Sequence, residues 1–107
     1  MGTRLVVRLM FEWGGGCLWP GDDAARAAYG FGPIEDQLLL SPDTRRQLAE
    51  MSTWHDTSRD WDYAAFPQHP SPWPSAEWHR FERAVVEMQS VLRGELGESF
   101  DLVYCPL

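Results

Sequence analysis

The three histidines, His55, His69 and His79, are the side chains of this sequence best suited to acid–base or metal chemistry. Metal-dependent phosphohydrolases use a His-Asp dipeptide like His55-Asp56, but they need further ligands on both sides of it, and no histidine precedes His55. The HExxH, CxxC and HxH spacings of zinc sites are also absent. A small metal-dependent hydrolase using His55, Asp56, Asp60, His69 and His79 is therefore the alternative, and histidines held by local hydrogen bonds are the preferred interpretation.

The two cysteines give no stronger signal for nucleophilic catalysis. Cys17 follows three glycines, but it does not stand between a strand and a helix with a partnered histidine, as a nucleophile elbow requires. The glycines lack the Lys and Ser or Thr of a phosphate-binding loop, so a turn is the better interpretation. Cys105 falls in a predicted strand and is expected to be a small core residue. The sequence therefore favours a protein that is not an enzyme and predicts no cofactor and no metal.

Aromatic and acidic residues are concentrated between positions 54 and 78. The stretch holds Trp54, Trp61, Tyr63, Phe66, Trp73 and Trp78 among Asp56, Asp60 and Asp62. Rings beside carboxylates suit Arg and Lys through cation–π contacts and ion pairs, and aromatic anchors carry much of the energy of protein interfaces. The predicted partner-binding residues are Asp56, Asp60, Trp61, Asp62, Tyr63 and Trp73.

The alternative for these rings is that they complete a small core. This alternative is favoured for Trp54 and Trp78, because both fall on predicted helices. For Trp61, Tyr63 and Trp73 the two interpretations remain open.

The charge of the chain limits its partners. Sixteen acidic residues stand against nine basic ones, all arginine, and the formal net charge is −7. A phosphate backbone and an anionic membrane would both be repelled, which argues against nucleic acid and membrane partners. A protein with a basic surface would be attracted, and its association accelerated by steering. The simpler alternative is that the charge only keeps the protein soluble.

The length of 107 residues fits one domain with one core. No signal peptide is recognised, since Arg8 and Glu12 interrupt the first apolar stretch. Two distant cysteines are typical of reduced thiols in a cytosolic protein, although a bridge stays open if the first and last strands are neighbours. A cytoplasmic location is therefore predicted.

The elements that must position these residues begin with a strand over residues 3–12, where apolar residues alternate. A short second strand is predicted near 17–19, followed by a helix over 24–29 capped by Asp22 or Asp23. The stretch 34–40 is ambiguous, and its end is expected to be a short strand or an extended lead-in to the next helix. Ser41 and Pro42 then predict the start of a helix that continues to about Trp54, with Leu48 on its inner side.

A Pro-rich loop is predicted over residues 56–74, because its prolines are incompatible with helix or strand interiors. A helix capped by Ser75 follows, with an apolar stripe through Phe81, Val85 and Leu92, and Gly97 ends it. Residues 100–105 alternate as a final strand. The predicted fold class is α+β, a small sheet that includes the N-terminal and C-terminal strands, with the two main helices packed on one face.

The chain resembles a group of small bacterial proteins, some of which are immunity proteins that neutralise toxins of neighbouring cells. The resemblance rests on residues 38–48, Trp54-His55-Asp56, Asp60-Trp61, Trp78, Phe81, Glu95-Leu96-Gly97 and Val103-Tyr104. It implies the class alone, an immunity or antitoxin-like inhibitor, and the net charge and the Asp/Trp stretch add the expectation that the inhibitor covers a basic surface of its partner. A third alternative is a structural subunit of a larger assembly, in which copies of the chain bury the exposed rings.

Overall fold

A three-stranded mixed sheet forms the base of the fold. The structure is a computed structural model that describes residues 4–12, 15–58 and 71–106. Strand β1 spans Leu5–Leu9, β2 spans Leu18–Pro20 and β3 spans Phe100–Tyr104. The strand order is β2-β1-β3, with β1 antiparallel to β2 and parallel to β3. The sheet thus includes the N-terminal and C-terminal strands, as predicted, and these two strands are neighbours.

The alternation of side chains gives the sheet one apolar face. Val7 lies opposite Leu102, and Leu9 lies opposite Leu18. Successive residues of a strand point to opposite faces, so these four side chains lie on the same face of the sheet. All four are buried, which makes this face the apolar one. Arg8, on the other face, is exposed.

The structure has three α-helices, which lie near the positions that the capping residues of the sequence indicate. Helix α1 spans Asp23–Tyr29 and is capped by Asp22, whose Oδ1 accepts from the Ala25 amide at 2.8 Å. Helix α2 spans Pro42–Asp56 and is capped by the Ser41 hydroxyl. Helix α3 spans Ser75–Leu96. No described helix is both long enough and apolar enough to cross a lipid bilayer.

The core lies between the apolar face of the sheet and the inner sides of α2 and α3. Leu48 from α2 and Phe81, Val85 and Leu92 from α3 join the buried strand residues in one cluster. The periodic apolar stripe of α3 therefore packs as predicted, and the fold is α+β with the two main helices on one face of the sheet.

One local detail was not predicted and another differs from its prediction. Residues 34–40 begin with a short 3-10 helix, Glu35–Gln37, which the sequence did not indicate, and Leu38 after it has an extended backbone, as a lead-in to α2 would. Ser75 is the first residue of α3 and not its cap; Pro74 is the cap, and it has no side-chain acceptor to offer. Its carbonyl accepts instead from the amides of Glu77 and Trp78, at 3.0 and 3.2 Å.

Candidate functional site

Hydrogen bonds join the residues just before the segment 59–70 to the residues just after it. The Trp73 indole donates to the Thr57 hydroxyl at 2.7 Å, and the Ser71 hydroxyl donates to the Ser58 carbonyl. The C-terminal end of α2 and the residues before α3 are therefore held together, and this junction of Thr57, Ser58, Ser71 and Trp73 is called the base. The segment 59–70, whose sequence is acidic and aromatic, connects the two sides of the base along the chain.

A tryptophan-rich cluster lies at this base. The ring centroids of Trp73 and Trp78 are 4.7 Å apart with the planes inclined at 62°, and the ring of Trp54 lies 5.1 Å from that of Phe81 in an edge-to-face arrangement. Trp54 also donates from its indole nitrogen to the Glu77 carboxylate. Because tilted and edge-to-face rings attract one another, the cluster fixes the junction between α2 and α3.

His55 is buried within the same cluster. Its ring lies 5.3 Å from the ring of Phe81 and 5.7 Å from that of Phe11. Burial lowers the pKa of the imidazole, since a charged ring is disfavoured there, although nearby Asp56 opposes this. His55 is therefore neutral near pH 7, and its surroundings are those of a core histidine.

The metal site of the alternative prediction is not assembled by the described residues. No three His, Cys, Asp or Glu side chains within the described ranges lie close enough to hold a metal ion. His55 is buried and His79 is exposed on α3, while Asp60 and His69 lie outside the described residues.

The predicted partner-binding residues divide into two groups. Asp56, the last residue of α2, and Trp73 are both half-buried. The other four, Asp60, Trp61, Asp62 and Tyr63, lie outside the described residues. The prediction that Trp54 and Trp78 pack inward agrees with their ring contacts. Trp73 packs inward against the rings of Trp54, Trp78 and Phe81 and is partly exposed, so it combines features of both interpretations.

Cys17 is a buried structural residue. Its amide and that of Leu18 donate to one oxygen of Glu35, at 3.1 and 2.5 Å. Burial and the nearby Glu35 carboxylate raise the pKa of the Cys17 thiol to about 12. A reactive cysteine needs the opposite surroundings, exposed and electropositive. Both cysteines are free, with no disulfide between them.

Sequence reasoning missed a groove between α2 and α3. It has a volume of about 320 Å³, and its lining includes Trp54, Met51, Met88, Val91, Glu50 and Glu87. Trp54 belongs to both the groove and the tryptophan-rich cluster, so the two features adjoin. The signal in the sequence was weak, because it consists of single acidic residues beside apolar positions on two helices that are far apart in the chain.

The mixed sheet, the helices on one of its faces and the tryptophan-rich cluster define a small α+β protein. A family model described as Serratia CdiI immunity protein-like matches residues 5–107. The chain belongs to this family, which confirms the resemblance to immunity proteins. A search of curated proteins gave no match.

Proposed function

We propose that this chain is a bacterial immunity protein that binds a toxin in the cytoplasm and thereby inhibits it. The observation that carries the proposal is membership of the Serratia CdiI immunity protein-like family over residues 5–107. An inhibitor of this kind needs a complementary surface and no catalytic residues of its own. The packed, structural roles of His55 and Cys17 are consistent with that requirement.

The charge of the chain supports a toxin with a basic surface. Among the described residues, four arginines are already paired within the chain, in the ion pairs Arg4–Asp101, Arg26–Asp23, Arg46–Asp43 and Arg80–Glu77. The surplus of acidic residues gives a formal net charge of −7. A cationic surface would be drawn toward this field, and such steering accelerates association.

The proposed contact surface is the acidic and aromatic stretch of the chain from Asp56 to Trp73. It comprises Asp56, Asp60, Trp61, Asp62, Tyr63 and Trp73. The cluster of Trp54, Trp78 and Phe81 gives the base a rigid support, and rigidity lowers the entropy lost on binding. Rings next to carboxylates offer a basic partner both cation–π contacts and ion pairs.

The test uses a purified toxin as the probe, namely the polypeptide encoded by the gene next to that of this chain, since inhibitors commonly lie beside what they inhibit. Titration calorimetry should give a 1:1 complex, and the chain should abolish the toxicity of the probe in growing cells. Asp60→Asn with Asp62→Asn should raise the Kd about tenfold or more, because two charges that face the partner are removed.

The matched control is Asp36→Asn with Glu98→Gln, which removes the same charge from exposed positions elsewhere. We expect it to change the Kd by no more than about twofold. If the wild type neither binds nor protects, the proposed function is wrong. If the wild type binds and the two double variants behave alike, the function stands and the placement of the surface is wrong.

A further inference from the structure

We propose that the groove between α2 and α3 receives an arginine or lysine side chain of the toxin. This inference rests on the proposed function and adds a second contact region to it. The groove lies alongside Trp54, and therefore next to the base of the acidic segment. One toxin surface can thus contact both regions together.

The floor of the groove suits the aliphatic part of a long basic side chain. Met51 and Met88 are buried beneath it, and Val91 is 39% exposed. Lysine and arginine lay their methylene groups along apolar surface while the charged end stays at a polar rim. Methionine adapts its shape to such a guest, because its side chain is unbranched and polarisable.

The rim of the groove suits the charged end. Glu50 lies on the α2 side and Glu87 on the α3 side, and both are exposed. Within the described parts of the chain, the Glu87 side chain makes no ion pair or hydrogen bond. Among those same residues, the one partner of Glu50 is Arg46, at a loose 3.6 Å, and the closer partner of Arg46 is Asp43. Both carboxylates can therefore accept a cation from outside.

The ring of Trp54 adds a third attraction. It is half-buried at the α2 side of the groove, beside Met51. A guanidinium or ammonium group over an indole face gains cation–π energy, which increases when water is excluded. An arginine can combine this stacking with a hydrogen bond to a carboxylate.

Other occupants fit the same groove less well. A second copy of the chain would bring the same two glutamates and a net charge of −7 against their equals, and like charges repel. An apolar helix of a partner would bury Glu87 without a counter-charge, which is strongly unfavourable. A basic side chain neutralises the rim and covers the floor together.

The experiment compares Glu50→Lys with Glu87→Lys against a control of equal charge change, Asp36→Lys with Glu98→Lys. The probe is the purified toxin encoded by the neighbouring gene, and its Kd is measured with each double variant. The groove variant should raise the Kd about thirtyfold or more, because it places two cations where a cation binds. The control should raise it no more than about threefold through the lost overall field. Thermal unfolding verifies that both variants fold.

The possible outcomes test the groove assignment and the proposed function separately. If the wild type binds the toxin and the groove variant binds like the control, the groove assignment is overturned while the proposed function stands. If the wild type does not bind at all, both are overturned. If the groove variant instead alters self-association in sedimentation experiments, a second copy is the occupant and the assignment to the toxin is overturned.

Discussion

At the scale of single residues, Glu35 explains why the glycine-rich stretch ends in an ordered strand. Its carboxylate accepts from two successive amides, those of Cys17 and Leu18, at the start of β2. A Cβ on Gly16 would come within 2.3 Å of Pro33, so the close approach of the two chain segments requires glycine there. Glu35 and Gly16 therefore act together as a structural junction between the start of β2 and the segment around Pro33.

The reactivity of the two cysteines follows from their surroundings. Cys17 is buried and its pKa is raised to about 12, whereas Cys105 is half-buried just beyond β3. At pH 8 we expect Ellman's reagent to modify Cys105 in the folded protein and to reach Cys17 only after unfolding, because the thiolate is the attacking species. A Cys105→Ser variant should show almost no reaction before denaturant is added. Equal reaction rates of both thiols in the native protein would contradict this description of Cys17.

At the scale of elements, the start of α2 is held by the end of α3. Glu95 accepts from the Ser41 amide at 2.6 Å and from the hydroxyls of Ser41 and Thr44. These bonds lower the pKa of the Glu95 carboxyl, the Thr44 hydroxyl contributing most. The antiparallel pair of helices is thus linked at this end by a carboxylate, and at the other end by the bond from Trp54 to Glu77.

Removing the Glu95 link should destabilise the fold in a pH-dependent way. Glu95→Ala should reduce the free energy of unfolding by about 1 kcal/mol, a modest value because the site is solvent-accessible. A carboxyl whose pKa is lowered by folding stabilises the protein fully above its unfolded pKa. The difference between wild type and variant should therefore be complete above the ordinary value of 4.5 and shrink as the pH falls below it.

Urea unfolding at pH 7 and at several values below pH 4.5 measures this difference. Glu50→Ala is the matched control, because Glu50 is exposed and, in the part of the chain that the structure describes, has one loose ion pair. A difference between wild type and Glu95→Ala that grows toward acidic pH would be incompatible with the assigned hydrogen bonds.

The helix boundaries illustrate which features can be predicted from the sequence and which cannot. Ser41-Pro42 and Gly97 predicted the start of α2 and the end of α3, because capping chemistry is local; Gly97 has a φ of 75°, which favours glycine. The role of Glu95 could not be predicted, because it depends on a residue 54 positions away in sequence. Ser75 failed as a cap since its neighbour Pro74 already occupies that position.

At the scale of the whole molecule, the alternating strands, the helix stripe and the sequence order were enough to predict an α+β fold. The surface groove was not predictable, because Glu50 and Glu87 approach each other only through the packing of α2 on α3. The candidate site could be predicted only in part from the sequence. Its acidic and aromatic composition is a sequence property, whereas the bonds that join Thr57 to Trp73 and support the base are tertiary.

Charge is the property that connects the sequence to the proposed function. Ion pairs within the chain engage several of its nine arginines, and sixteen acidic residues remain the dominant source of the field. Both the acidic segment and the groove would present that charge to a basic toxin. Attraction of this kind is screened by salt over distances of about 10 Å at 0.1 M ionic strength.

The salt dependence of toxin binding tests the central claim most directly. The Kd of the complex with the toxin encoded by the neighbouring gene would be measured at about 50 mM and at about 500 mM NaCl. We predict that the Kd rises about tenfold or more at the higher concentration, mainly through slower association. A complex that forms with the same Kd at both concentrations would contradict recognition through the negative charge of this chain.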